Sequence, residues 1–99
     1  MYASVRHYKM DPASVEELNR RVREGFIPIV SELAGFVAYY VVNSGEGEII
    51  SISIFEEQGG ADKSTGSASD WVEENIASLL PTAPEVTAGE VIMHVHKLR

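Results

Sequence analysis

Two largely hydrophobic runs lie within residues 35–57, on either side of a glycine-rich turn. The first run, Phe36 to Val42, is aromatic and β-branched, which suits a half-buried strand. The second run, Ile49 to Phe55, alternates between isoleucine and serine through its middle. Residues 43–47 (NSGEG) supply the residue types that accept a positive φ angle. The pattern predicts a β-hairpin around which the rest of the chain is organised.

The two faces of the second hairpin strand differ in polarity. Ile50, Ile52 and Ile54 share one face, and we expect helices to cover it. The other face mixes hydroxyl and apolar groups, from Ile49, Ser51, Ser53 and Phe55. Such a mixed face is either a cavity lining, a subunit contact or a polar face in water.

The chain before the hairpin predicts a strand and a helix. Tyr2 to Lys9 reads as a strand with Ser4, Arg6 and Tyr8 on one face. Asp11-Pro12 signals the start of a helix. Pro28 should kink or split this helix, and Gly35 should close it. The apolar stripe of the helix is expected at Val15, Leu18, Val22, Phe26, Ile29 and Leu33.

The chain after the hairpin predicts a loop, a helix, a connector and a strand. Gln58-Gly59-Gly60 reads as the loop, and the helix should begin between Ala61 and Ser67 and end before Pro81 and Pro84. Its apolar stripe is Ala68, Val72, Ile76 and Leu79. Thr82 to Gly89 is the expected connector. Glu90 to Lys97 is the expected last strand, with Ile92, His94 and His96 on one face.

The order βαββαβ predicts an α+β, ferredoxin-like fold. Its four-stranded antiparallel sheet would carry both helices on one face, with the third strand central beside the first. We expect the uncovered face to pack on a second copy around a twofold axis, because such a patch seldom stays exposed. The residues expected on that uncovered face are Tyr8, Tyr39, Ser51, Ser53, Phe55 and Ile92.

Length and composition narrow the possible functions. The chain of 99 residues predicts a single domain, 1–99, and the absence of Cys excludes disulfides, thiolate metal sites and a Cys nucleophile. The net charge of −7 argues against a nucleic-acid partner. No basic leader and no long apolar run is present, so we expect a cytoplasmic protein without a membrane partner.

Four segments carry a resemblance to a known family: VRHY at 5–8, GF at 35–36 with YY at 39–40, SISIFE at 51–56 and ASDWV at 68–72. On these segments the chain resembles the antibiotic biosynthesis monooxygenase superfamily of dimeric α/β-barrels, and most of all its small members of unknown role. The resemblance covers nearly the whole chain. It implies a homodimer with a cavity between sheet and helices in each subunit.

The resemblance also implies possible activities. Some members oxidise polycyclic phenols with O₂ and use neither metal nor flavin, so no cofactor and no metal is expected here. Others degrade haem through a His on the second helix, and no His occurs between Asp62 and Leu80. Ser67 and Ala77 stand where the oxygenase members carry Asn and Tyr. This departure favours a member that binds a ligand without catalysis.

Three residues are the candidate catalytic groups. Arg6 would stabilise a phenolate, His94 would accept charge or a proton, and Trp71 would stack on an aromatic ring. Each has a structural alternative: an ion pair for Arg6, a core anchor for Trp71 and a satisfied strand histidine for His94. His94 and His96 could also hold a metal, although no third ligand accompanies them. The expected pocket lining is Tyr8, Tyr39, Ser51, Ser53, Asn75 and His96.

Three hypotheses about function follow. The first is a cofactor-independent monooxygenase for a small phenolic compound, which requires an open apolar pocket that reaches Trp71 and contains a His or Arg. A pocket closed by side chains would contradict it. The second is a non-catalytic small-molecule-binding or stress-associated dimeric module. The third is a dimeric scaffold with a filled interior.

Overall fold

The sheet is the layer to which every other element is attached. The structure, a computed structural model, describes residues 1–81 and 83–97. Its strands are antiparallel and lie in the order β2-β3-β1-β4, which confirms the α+β, ferredoxin-like fold and the central position of the third strand beside the first. Their bounds are β1 (Tyr2–Lys9), β2 (Phe36–Gly45), β3 (Glu48–Phe55) and β4 (Glu85–Glu90).

The helices pack together on one face of this sheet, as predicted. The first helical run spans residues 12–30, and a second long helix follows the hairpin. The first run is made of a 3₁₀ turn (Pro12–Ser14), α1 (Val15–Arg21), a π segment (Val22–Phe26) and α2 (Ile27–Val30). The second is α3 (Gln58–Asn75), followed by the 3₁₀ turn Ala77–Leu79.

The start of the first helical run follows from two residues. Asp11 has an extended backbone, and its side chain accepts a hydrogen bond from the Ala13 N–H at 2.9 Å. Pro12 takes the first helical position, where its missing N–H has no partner to lose. The start predicted from Asp11-Pro12 is confirmed.

The π segment is how the first helical run accommodates Pro28. The Ile27 N–H donates to the Val22 carbonyl, five residues back, so this turn contains one extra residue. The extra residue rotates the helix face: Ile29, predicted for the apolar stripe, is 43% exposed, and Val30 is fully buried in its place. The proline therefore shifts the stripe by one residue.

The predicted loop at residues 58–60 is wrong, because α3 begins at Gln58. Glycine is a poor helix former, but Gly60 is needed for close packing. A Cβ at Gly60 would lie 2.9 Å from the Phe55 ring and 3.0 Å from the Ala34 carbonyl oxygen. Packing against the sheet outweighs helix propensity here.

The predicted last strand is also wrong. The strand is β4, within the segment predicted as a connector, and residues 91–97 form no strand. The reason is the length of β1: Tyr2 pairs with Glu90, so β1 offers no further residue for a ladder beyond the bond from the Val91 N–H to the Met1 carbonyl. Of the predicted connector, Thr82 lies outside the described residues.

The assignment of the sheet faces from the sequence is reversed. The face covered by the helices is the mixed one, with Ser4, Arg6, Tyr8, Tyr39, Ser51, Ser53 and Phe55. The isoleucine face is open, and Tyr40 and Val42 of β2 extend it. Alternation shows which residues share a face, but it does not show which face the helices cover. Ile92, expected on the open face, lies outside the sheet and is 92% exposed.

The hairpin turn is confirmed and is tied to the first helical run. Glu46 and Gly47 both have positive φ, as a tight two-residue hairpin turn requires. The Met10 N–H donates to the Gly47 carbonyl at 3.0 Å. A Cβ at Gly47 would overlap the Met10 carbonyl oxygen, so glycine is required by both φ and space. No helix among residues 1–81 and 83–97 has the length and apolar character needed to cross a bilayer.

Candidate functional site

A closed chamber lies between the sheet and the helices. Its free volume is about 10 Å³, enough for about one water molecule. Because the face that β1 and β3 turn toward the helices is rich in hydroxyl groups, the chamber floor is polar. The walls contributed by the helices are mostly apolar. The polar lining residues are Ser4, Arg6, Tyr8, Tyr39, Ser51, Ser53, Ser64 and Thr65, and the apolar ones are Val22, Phe26, Ala68, Trp71 and Val72.

Arg6 is the charged group of the chamber. It projects from the middle of β1 and is 4% exposed. Its Nε donates to the Tyr8 hydroxyl at 3.0 Å, and its guanidinium carbon lies 5.8 Å from the centre of the Tyr8 ring. Its Nη1 is buried without a hydrogen-bond partner among the described residues. A buried cation with an unused donor is costly, which is typical of a binding site rather than of a core.

The ion pair considered as the structural role of Arg6 is absent from the described part of the chain. The ion pairs found there join Lys9, Arg20 and Arg21 to glutamates on the protein surface. Within residues 1–81 and 83–97, Arg6 is therefore a positive charge without a neutralising carboxylate.

Tyr39 supplies a hydroxyl that stays protonated. It lies on β2 opposite Ser53, on the covered face of the sheet. Burial, followed by the neighbouring Tyr8, raises the pKa of Tyr39 to about 12, and the hydrogen bond with Ser51 opposes this shift. At neutral pH Tyr39 is therefore able to donate a hydrogen bond to an anionic oxygen.

Hydroxyl groups join the sheet to α3 across the chamber. Ser4 Oγ and Thr65 Oγ1 are 3.0 Å apart, and Thr65 Oγ1 also donates to the Ala61 carbonyl. Ser51, Ser53 and Ser64 are buried as well. The contact between Ser4 and Thr65 fixes α3 above β1.

Trp71 forms one wall and is at the same time a core anchor. It is 8% exposed, and its ring centre lies 5.6 Å from that of Phe26. A Cβ on Gly25 would approach the indole Nε1 to 3.0 Å, so the π segment lies directly against the indole. The core-anchor interpretation of Trp71 is therefore confirmed, and its place in the chamber wall leaves its stacking on a ligand as a prediction.

The structure brings most of the predicted site residues together. Arg6, Trp71, Tyr8, Tyr39, Ser51 and Ser53 line the chamber. Asn75 does not, because its side-chain amide donates to the Trp71 carbonyl and faces an outer groove. His94 and His96 do not either: they lie on the exposed residues 91–97, with ring centres 5.3 Å apart.

No group of three or more His, Asp or Glu side chains is placed to hold a metal ion within residues 1–81 and 83–97. Nor does any described His, Asp or Glu line the chamber. Its polar groups are a guanidinium and hydroxyls. Such a set can bind an anionic or acceptor-rich oxygen, but it contains no carboxylate or imidazole base.

Sequence reasoning missed Ser4, Ser64 and Thr65. A signal for Ser4 existed, because it shares a strand face with Arg6 and Tyr8. Ser64 precedes Ala68 and Trp71 at helical spacing, which places the three on one side of α3. That these residues of α3 lie close to Ser4 depends on the topology, and it could not be predicted from either segment alone.

Comparisons with known proteins complete the description. No protein-family profile matches the sequence. No curated protein sequence matches it significantly. Solved structures do match: a protein of unknown function from Nitrosomonas europaea has a TM-score of 0.81 at 15% identity, over 99% of this chain and 95% of its own.

A monooxygenase from the gene ActVA-Orf6 of Streptomyces coelicolor, solved with the ligand nanaomycin D, has a TM-score of 0.79 at 18% identity, over 98% of this chain and 92% of its own. An antibiotic biosynthesis monooxygenase matches with a TM-score of 0.72 at 12% identity, over 94% of this chain and 100% of its own. The chain shares its fold with these solved structures. The resemblance seen in the sequence is thus confirmed at the level of the fold. The Nitrosomonas neighbour of unknown function shows that the fold leaves the activity open.

Proposed function

We propose that the chain is a monooxygenase-like protein that acts on a small phenolic compound, whose anionic oxygen is bound by Arg6. The observation that carries the proposal is the buried Nη1 of Arg6, which has no partner among the described residues. A phenolate oxygen would supply the missing acceptor and the missing negative charge. The fold shared with structures named as monooxygenases supports the same proposal.

In the proposed reaction Arg6 stabilises the phenolate, which is more electron-rich than the neutral phenol. The protonated Tyr39 hydroxyl donates to the same oxygen, and Trp71 positions the ring. The phenolate itself reduces O₂. In a hydroxylated anthrone, the ring carbon that carries two hydrogens gains one oxygen atom as a carbonyl, and the second oxygen atom leaves as water with those two hydrogens.

The chamber as it stands contradicts the open pocket that the oxygenase hypothesis required, because about 10 Å³ cannot hold an aromatic ring. The proposed reaction therefore needs either a displaced wall or a ligand whose ring stays outside the chamber while its oxygen reaches Arg6. A scaffold with a filled interior would account for the closed volume, but it would not account for a buried guanidinium with an unused donor.

We further propose a homodimer in which the open sheet faces pack together. The open face carries Ile50, Ile52 and Ile54 in its centre, and Tyr40 and Val42 beside them. Tyr40 is 56% exposed and Val42 43% exposed in the single chain. A contiguous apolar surface of this kind is typical of a subunit interface.

The test is oxygen consumption with a panel of polycyclic phenols, among them hydroxylated anthrones, by the wild type and by Arg6→Met. We expect the variant to lose activity. We also expect its free energy of unfolding to be equal to or higher than that of the wild type, by up to about 1–3 kcal/mol, because an uncompensated buried charge is removed. If Arg6 instead stabilised the fold, Arg6→Met would have a lower free energy of unfolding than the wild type.

Arg23→Met is the matched control, because Arg23 is exposed on the first helical run. It should keep both activity and stability. Full turnover by Arg6→Met would contradict the proposal, as would the absence of any oxygen consumption by the wild type.

The second candidate function is ligand binding without catalysis, in a small-molecule-binding or stress-associated dimeric module. No carboxylate or imidazole base lines the chamber among the described residues, and this favours binding without catalysis. It predicts that Arg6-dependent binding of phenols is measurable while oxygen consumption stays at the background rate.

A further inference from the structure

A groove on the outside of the molecule reaches the same arginine. The α3–β4 groove has a volume of about 390 Å³. Arg6 and Val72 line both this groove and the closed chamber, so they separate the two spaces. The outer walls are mostly apolar and include Ala77, Leu80, Pro81 and Val86. The volume lies in the range of small-molecule sites, which the chamber does not reach.

A second outer groove also adjoins the chamber, on the other side of α3. The helix–helix groove, lined by Arg21, Glu24, Gly25, Trp71, Glu74 and Asn75, has the same volume of about 390 Å³. Its one cation, Arg21, already donates to Glu17 and to the Asn75 carbonyl. Of its two carboxylates, Glu24 is paired with Arg20 at 2.9 Å, and Glu74 forms no ion pair within the described residues. Trp71, which packs against Gly25, closes the inner end of the groove.

Charge therefore distinguishes two grooves of equal size. The helix–helix groove has no unpaired cation among its described lining residues, whereas the α3–β4 groove is lined by Arg6, which forms no ion pair within the described residues, and its other walls are mostly apolar. Arg6 and Val72 stand between the α3–β4 groove and the chamber, and Trp71 lines the chamber but not this groove. A ligand in the α3–β4 groove can reach Arg6 without moving Trp71.

We infer that the α3–β4 groove is the binding site for the apolar body of an aromatic anion whose charged oxygen lies against Arg6. The inference rests on the proposed function and makes it specific. Glu73 stands on the groove lining, so a second negative charge at the outer end of the ligand is disfavoured. The ligand class is an elongated aromatic compound with one anionic end.

The experiment uses 4-nitrophenol, a chromogenic phenol that forms its anion near neutral pH, as the probe. Binding is followed by quenching of Trp71, the one tryptophan of the chain, and by growth of the phenolate absorbance band. The variant Ala77→Phe fills the groove, and Ser78→Phe on the same 3₁₀ turn, which lines none of the grooves described above, is its matched control. The anion-free analogue 4-nitroanisole tests the role of the charge.

We expect Ala77→Phe to weaken binding of 4-nitrophenolate about tenfold or more, with Ser78→Phe unchanged and 4-nitroanisole bound much less tightly. If Ala77→Phe binds as the wild type does while Arg6→Met has lost binding, the groove is wrong and the proposed function stands. If the wild type binds no probe and consumes no oxygen with any phenol, both fail.

Discussion

The two faces of the sheet are the reverse of what a small monomer would be expected to have. The open face is apolar, with isoleucines along the centre of β3, whereas the face beneath the helices carries an arginine, two tyrosines and several serines. The two faces therefore have different roles in the proposed dimer. In the proposed dimer the open face would pack on a second copy of the chain, while the subunit interior combines an apolar core around Ile49 and Phe55 with the polar groups of the chamber.

The largest expected effect comes from a charge on the open face. Ile52→Glu would place one unpaired carboxylate per copy in the proposed interface, so the twofold symmetry would double the penalty. We expect the dimer to weaken by at least about a thousandfold, measured by analytical ultracentrifugation. Val41→Glu, on the same strand pair but on the other face, adds the same charge and should leave the dimer intact. A monomeric wild type would refute the proposed interface.

Burial of Tyr39 on the covered face should make the free energy of unfolding depend on pH in the alkaline range. The pKa of Tyr39 is raised from 10.0 to about 12 in the folded chain, so the unfolded state loses its proton first. This contribution to stability is fully present below pH 10 and is lost as the pH rises through about 12. Compared with Tyr39→Phe, the wild type should lose roughly 2–3 kcal/mol over that window. Parallel urea-unfolding profiles of the two proteins would contradict this expectation.

A smaller effect tests the hydroxyl contact between the faces of the chamber. Ser4→Ala removes the partner of Thr65 Oγ1 and should lower the free energy of unfolding by about 1 kcal/mol. Ser69→Ala, at an exposed position of α3, should change it by less than about 0.5 kcal/mol. Equal effects in urea titrations would show that the buried hydroxyl contact contributes nothing specific.

Local structure could be predicted from the sequence, because a helix start or a turn depends on a few neighbouring residues. Asp11-Pro12 set the helix start, and Glu46 with Gly47 set the hairpin turn. The order of elements then determined the topology, because few arrangements of βαββαβ are favoured. The pairing of Arg6 with Trp71 came instead from the family resemblance, because the predicted face assignment turned the side of β1 that carries Arg6 and Tyr8 away from the helices.

What could not be predicted depends on contacts between distant segments. The choice of the covered face depends on how helices pack, which alternation does not record. The early start of α3 depends on Gly60 against Phe55, and the end of β4 depends on the length of β1. The exchange of Ile29 for Val30 in the stripe depends on a single extra residue in one helical turn.

The π segment at Val22–Phe26 has a consequence for the history and engineering of the chain. A turn with one surplus residue is equivalent to a one-residue insertion in an otherwise regular helix. Removing one residue there would turn the preceding part of the helix by about 100° relative to the part that follows. A homologue that is one residue shorter in this turn is therefore expected to lack a proline at the position of Pro28, and to present a different side chain to Trp71.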